Sequence, residues 1–232
     1  MSRDQKTKRY AEQIEQAGSE SYATKISGGT TGNLVSIAAS GDIADSGYSG
    51  NSYIWKARIL KPESIKLPGA NPPAEDDIDG FSFNRFDRGT EESVYYVFEL
   101  PGDFVAGTGS MRGYFEFVVE NPPAGADETV VMGFEYKKIS ESEVFSFVAG
   151  TSSGTLSETL TAGETAYIIH KTAYGTCATT GWAAGDTILF RFYRDATNVL
   201  DTYDNEAAAA DNDVWVNMYH LEYLGYVFKP TS

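Results

Sequence analysis

Two histidines, His170 and His220, a single cysteine, Cys177, and two dense acidic stretches are the residues of this chain best equipped for chemistry. The histidines stand fifty residues apart on separate predicted strands, which excludes a histidine-rich metal cage. A Ser-His-Asp triad remains open on composition alone. No phosphate-binding Gly-x-x-x-x-Gly-Lys loop and no His-Glu-x-x-His pair is present. His220 alternates with Val214, Val216 and Met218, so its ordinary place is a partly buried sheet position. Glu75-Asp76-Asp77-Ile78-Asp79-Gly80 and the acids between Asp201 and Asp213 could offer oxygen ligands to calcium, which takes about six to eight of them, yet neither matches the twelve-residue calcium loop. Both read as solvated acidic loops. A carboxylate pair for glycoside hydrolysis is also left open, because its separation is set by the fold and not by spacing in sequence. Cys177 lies between Thr176 and Ala178 with no cation beside it to stabilise a thiolate, and is expected as a small core or loop residue. The expectation is a protein without cofactor or metal that is not an enzyme.

The elements that would position these side chains are strands. Residues 95–100, 114–119, 130–136, 167–170, 188–193 and 214–219 are β-branched and aromatic runs. Weaker candidates lie at 53–60, 80–86, 144–147 and 155–160, divided by turn clusters such as Pro101-Gly102-Asp103 and Ala184-Gly185-Asp186. Eight to ten strands without helical periodicity after residue 52 predict an all-β fold, a β-sandwich of jelly-roll type. Tyr95, Tyr96, Phe115, Phe117, Phe190 and Phe192 fall within these patterns, so core packing accounts for them without a ligand. Tyr48, Tyr53 and Trp55 are expected to join the domain to what precedes it.

The first thirty residues differ from the rest. They carry five Lys/Arg against four Asp/Glu, about +1, so that of a net charge of −15 about −16 belongs to the remainder. Such an acidic body would repel phosphate, and no nucleic-acid partner is expected. Residues 3–17 contain no Gly or Pro, are rich in Lys, Gln, Glu and Ala, and end before Gly18, which predicts a short helix. Tyr10 and Ile14 form a narrow apolar stripe beside Arg3, Lys6 and Arg9, the residues expected to dock on a partner. No run approaches the roughly 18 apolar residues of a membrane span, and Met-Ser-Arg-Asp-Gln-Lys lacks a secretory h-region, so a cytoplasmic product is expected.

Between arm and body, Leu34, Val35 and Ile37 precede the turn-prone Ala39-Ser40-Gly41-Asp42, and Ile43 opens a second short segment closing at Asp45-Ser46-Gly47. Two small strands around a turn have too few side chains for a core of their own, which points to neighbouring copies for the missing contacts. Gly32-Asn33-Leu34-Val35 with Ser40-Gly41-Asp42-Ile43-Ala44-Asp45-Ser46-Gly47 resembles the linker in head fibres and tail fibres of tailed bacteriophages, departing from it at Ser36, Ala38 and Asp42. A second stretch, Trp182 to Asp195, then Asp201-Thr202-Tyr203 and Asp213 to Tyr223, resembles the last two strands of jelly-roll domains in phage virion proteins. The resemblance implies an arm over 1–27, a trimerising β stem over 28–51 built on Leu34, Val35, Ile37 and Ile43, and a jelly roll over 52–232. It further implies a homotrimer located in the virion, a head fibre or capsid decoration protein docked on the major capsid protein or another virion component. The alternative it leaves is a tail-associated receptor- or carbohydrate-binding protein whose partner is a host-surface glycan.

Overall fold

A computed structural model describes residues 33–37 and 43–49 as backbone and residues 53–147, 151–203 and 213–227 in full. Two compact units emerge, Met1–Tyr53 with Tyr226–Ser232, and Ile54–Gly225. The predicted helix over 3–17, and with it Arg3, Lys6, Arg9, Tyr10 and Ile14, lies outside the described residues.

In the first unit, β1 (Asn33–Ile37) and β2 (Ile43–Ser49) form the predicted antiparallel hairpin, with Ile37 opposite Ile43 and Val35 opposite Asp45. The second strand does not close at Asp45-Ser46-Gly47. It passes through them to Ser49, and an irregularity between Asn33 and Val35 absorbs the extra residues on the β2 side.

The second unit is built from β3 (Tyr53–Leu60), β4 (Ala74–Ile78), β5 (Phe81–Phe86), β6 (Ser93–Glu99), β7 (Met111–Val119), β8 (Glu128–Ile139), β9 (Ser152–Leu160), β10 (His170–Lys171), β11 (Gly175–Thr176), β12 (Thr187–Arg194) and β13 (Val214–Tyr226). One sheet runs β10-β7-β13-β5-β4, with β11 also on β7 and β3 on β13; the other runs β6-β12-β8-β9. From β5 to β13 the chain crosses between the sheets at every step but two, β8 to β9 and β10 to β11, which each stay within one sheet. This is the connectivity of a jelly roll.

Alternation explains why these segments are strands and which way they face. Along β12, Ile188, Phe190 and Phe192 are buried on one side and Arg191 lies opposite, as expected. Along β7, Met111, Phe115, Phe117 and Val119 face the core while Arg112, Tyr114 and Glu116 face outward. The sheets meet where the Phe192 ring contacts Phe115 edge-on at 5.8 Å and Tyr219 at 5.1 Å. Buried Tyr219 donates its hydroxyl to Asn84 Oδ1 at 2.9 Å, which satisfies the polar end of an otherwise apolar ring.

Several expectations fail for physical reasons. The apolar run Tyr167-Ile168-Ile169 is an exposed loop, not a strand; Tyr167 has φ 63° and donates its N–H to Val119 O, and extended pairing starts only at His170. Residues 144–147 are likewise a loop, closed by Ser140 N donating to the Glu143 carboxylate and by Ser142 at φ 71°. Conversely, Glu75-Asp76-Asp77-Ile78 is a strand and not a loop. It forms a hairpin with β5, with Ile78 opposite Phe81 and Asp79 and Gly80 both at positive φ, the tight turn that Asp-Gly favours. Its charges suit an edge strand, where they discourage unwanted pairing.

The last two strands are joined by a buried polar lock. Arg194, at the end of β12, donates from Nη2 to Asp201 Oδ1 at 2.9 Å and to Tyr203 O at 3.0 Å, and from Nε to Asp201 Oδ2 at 3.2 Å. Asp201 Oδ2 also accepts Val131 N–H at 3.0 Å, and Thr202 and Tyr203 donate their N–H groups to Thr129 O. Where β12 stops, residues 201–203 thus take over its hydrogen bonding to β8. Neither side chain of the pair is exposed, so removing one partner strands the other as a buried charge. Asp201→Ala and Arg194→Ala should each destabilise the domain by about 3–5 kcal/mol in urea denaturation, and the double variant by clearly less than the sum. Additive losses would show that the pair is not coupled.

Candidate functional site

The outward positions of β7 and β13 meet across the ladder, with Arg112 opposite Glu222, Tyr114 opposite His220 and Glu116 opposite Met218. Their side chains form a connected polar and aromatic cluster on the outer face of the larger sheet. Arg112 Nε donates to Glu222 Oε2 at 2.7 Å, and the guanidinium lies between the Trp55 ring of β3, 4.0 Å from its centroid, and the Tyr174 ring, 4.3 Å from its centroid. Trp55 therefore fastens the strand leading into the domain onto β7. The Tyr174 hydroxyl donates to Glu222 Oε1 at 3.1 Å, and His220 Nε2 lies 3.0 Å from the same oxygen while its ring stacks on Tyr114 at 4.4 Å. Farther along, buried Glu116 accepts from Asn217 Nδ2 and pairs with Lys171 Nζ, both at 2.9 Å.

These contacts set the electrostatics. Burial works against charge on Glu222, but the hydrogen bonds from Arg112, His220 and Tyr174 together outweigh it and hold the carboxyl below the ordinary glutamate value. Burial, and then the hydrogen bond to Glu222, pushes the Tyr174 phenol up. A carboxylate engaged by three donors is neither a proton-carrying acid nor a free nucleophile. What the cluster presents to solvent is two flat rings, Trp55 at 37% and Tyr174 at 47% exposure, held rigid by the cation between them.

The other chemical candidates disperse. His170 faces the core side of β7, stacked on Phe117 and 3.1 Å from Glu164 Oε1, whereas His220 faces outward, so the two imidazoles share no site. Gly150-Thr151-Ser152-Ser153-Gly154 carries the letters of a nucleophile elbow, but Ser152 opens β9 opposite Tyr136 and no helix follows it. Buried Cys177 has its thiol pushed up to about 12 by desolvation. Asp201 belongs to the buried lock, and Asp213 pairs with Arg85 at 3.1 Å. Glu63, Glu75, Asp76 and Asp77 border a shallow groove of about 390 Å³ beside β4. Among the described residues no group of three or more His, Cys, Asp or Glu side chains is arranged to hold a metal ion, and no helix is long and apolar enough to cross a membrane.

A second, more apolar groove of about 550 Å³ lies on the outer face of the smaller sheet. Tyr95, Val97 and Leu189 form its floor, Leu67 and Pro68 one wall, and Phe145 and Phe147 the other. Of the residues expected to form a trimer stem, Leu34, Val35 and Ile37 fall on β1 and Ile43 on β2. Sequence reading missed the Arg112, Tyr174 and Glu222 cluster, because only the β7–β13 register brings residues 110 positions apart into contact.

No family model matches this chain, and no curated protein matches it. Among solved structures, the Clostridium thermocellum N-terminal endo-1,4-beta-D-xylanase 10B CBM22-1-GH10 modules, complexed with xylohexaose, align over 77% of this chain and 27% of that one, with 14% identity and a TM-score of 0.33. This chain spans about a quarter of that protein's length. The jelly-roll assignment stands on the strand order of the sheets themselves.

A carboxyl with a lowered value in the folded state stabilises the fold above its unfolded value, near 4.5, and loses that contribution as pH falls through the folded one. Glu222→Gln should therefore unfold at lower urea than the native chain at neutral pH, with the gap narrowing below about pH 4.5. A gap constant across that range would mean that the charge of Glu222 does not stabilise the fold.

Proposed function

We propose that this chain is a structural protein of a tailed-phage virion, a head fibre or capsid decoration protein that docks by its N-terminal arm, assembles through the Gly32–Gly47 segment and displays an acidic jelly roll. The observation that supports the reading is the sequence of elements: a small glycine-punctuated hairpin followed in the chain by a jelly roll. An isolated hairpin with two short strands buries too little to stand alone, which supports assembly of several copies around it. Linking three arms in one particle component raises the effective concentration of each, so weak docking by Arg3, Lys6, Arg9, Tyr10 and Ile14 becomes firm attachment. The excess negative charge of the body keeps displayed domains apart from one another and from nucleic acid.

Size-exclusion chromatography with light scattering should give about 76 kDa, three times the chain's 25.3 kDa, and Ile37→Asp should return the single-chain mass. Deleting residues 1–30 should leave the trimer intact and abolish incorporation into particles. A native monomer at micromolar concentration, or normal incorporation without the arm, would overturn the reading.

A second reading, a tail-associated protein that binds host-surface carbohydrate, is favoured by the rigid Trp55 and Tyr174 rings beside hydrogen-bonding Arg112 and Glu222. Flat apolar faces flanked by charged groups are suited to the mixed surface of a sugar. In a glycan-array screen of the full chain, a specific hit should weaken about tenfold in Trp55→Ala, a loss of about 1.4 kcal/mol. An array without hits removes this reading.

A further inference from the structure

Strand β12 ends in a tight loop whose tip is apolar and uncovered. The two ends of the loop are pinned together by the buried Arg194–Asp201 pair. Between them Asn198 donates its N–H to Asp195 O at 2.9 Å and its Nδ2 to Asp195 Oδ2 at 3.0 Å, while its own Oδ1 accepts Leu200 N–H at 3.1 Å and its O accepts Asp201 N–H at 2.9 Å. These bonds hold Val199 and Leu200 outward, 90% and 63% exposed. A tip fixed in this way loses little freedom when a partner surface buries it. The apolar groove of about 550 Å³ on the smaller sheet is the matching hollow, floored by Tyr95, Val97 and Leu189. Residues 62–66 already run along the outer side of β6, where Lys66 bridges Tyr95, so the groove takes side chains from solvent and not an added strand. Charge matches as well. The lining holds no acid, and its Lys66 makes no ion pair among the described residues, whereas the Asp195 carboxylate accepts from the neutral Thr197 and Asn198.

The loop does not reach the groove of its own chain. Leu189 on the groove floor precedes Arg194 by five residues of β12, roughly 17 Å at strand spacing. Residues 201–203 then continue past Arg194 beside Val131 and Thr129, away from the groove. We propose that the Val199-Leu200 tip of one copy seats in the apolar groove of a neighbouring copy, bringing Asp195 toward the neighbour's lone cation at Lys66. Tip and groove are different surfaces, so the contact runs head to tail, and each copy gives one tip and receives another. Three copies close such a contact into a ring that leaves no tip in water. Two side chains bury far less than the roughly 1,200 Å² of a stable interface, so the contact is weak by itself and forms between chains already held together. In that respect it rests on assembly through the Gly32–Gly47 segment.

The test is cross-linking of the full chain with a short bifunctional maleimide, read on a denaturing gel. Cys177 is buried with its thiol pushed up to about 12, so the native chain serves as an unreactive control. The double variant Leu200→Cys/Val97→Cys should link copy to copy and accumulate covalent trimers. Neither single variant should link by itself, and an equimolar mixture of the two singles should. Adding Val199→Asp, at a position too exposed to disturb the fold, or Lys66→Glu should each slow the linking about tenfold, which corresponds to about 1.4 kcal/mol of contact. Light scattering on the same samples reports assembly independently. Absence of links in a sample of trimeric mass overturns the contact and leaves the assembly intact, whereas a monomeric mass without links overturns both. Links formed by Leu200→Cys alone, or by Val97→Cys alone, would mean that tip meets tip or groove meets groove and would equally overturn the proposal. So would linking indifferent to both Val199→Asp and Lys66→Glu.

Discussion

The contact of Phe192 with Phe115 and Tyr219 is where two separate sheets become one body. Each sheet alone has one apolar face, and neither could keep that face in water. Burying it fixes which residues of every strand turn inward, and through the period of two it fixes which turn outward. The Arg112, Tyr114 and Glu116 row is outward because Phe115 and Phe117 are inward, and Tyr95 and Val97 line a groove because Val94 and Phe98 fill the core. A one-residue slip of β7 or β6 would exchange these sets and destroy core and surface sites together.

The polar interior serves the same constraint. A jelly roll returns its last strand across the sandwich, and the connection from β12 to β13 must leave one sheet for the other without abandoning the backbone groups of β8. Arg194, Asp201 and Tyr203 accomplish this by bringing residues 201–203 alongside Val131 and Thr129. The placing of Arg194, Asp201 and Tyr203 is thereby explained as a structural necessity. It marks a fold, and a shared fold is no evidence of shared function.

Function falls to the surfaces that the core leaves free. The larger sheet offers charged groups saturated by one another around two exposed rings, an arrangement suited to rigid contact and not to proton transfer. The smaller sheet offers an apolar groove beside its edge strand β6. On its outer side that edge strand is bridged by Lys66, the kind of covering natural sheets usually arrange.

Much of the strand pattern was legible in the sequence. Strong alternation identified β6, β7, β8, β12 and β13, and the limits of β3 were read residue for residue as 53–60. The errors share one cause, that composition does not report what a segment lies against. Tyr167-Ile168-Ile169 has the content of a strand but no partner along most of its length, while the acidic β4 is a strand because β5 pairs with it through an Asp-Gly turn. The sequence by itself determined the alternation of faces, the turns and the contrast of charge between arm and body, because these follow from local sterics and composition. Register and the Arg112–Glu222 and Arg194–Asp201 pairs were decided only by the tertiary structure. Each depends on which distant segments share a sheet, and that choice minimises exposed apolar surface over the whole chain at once.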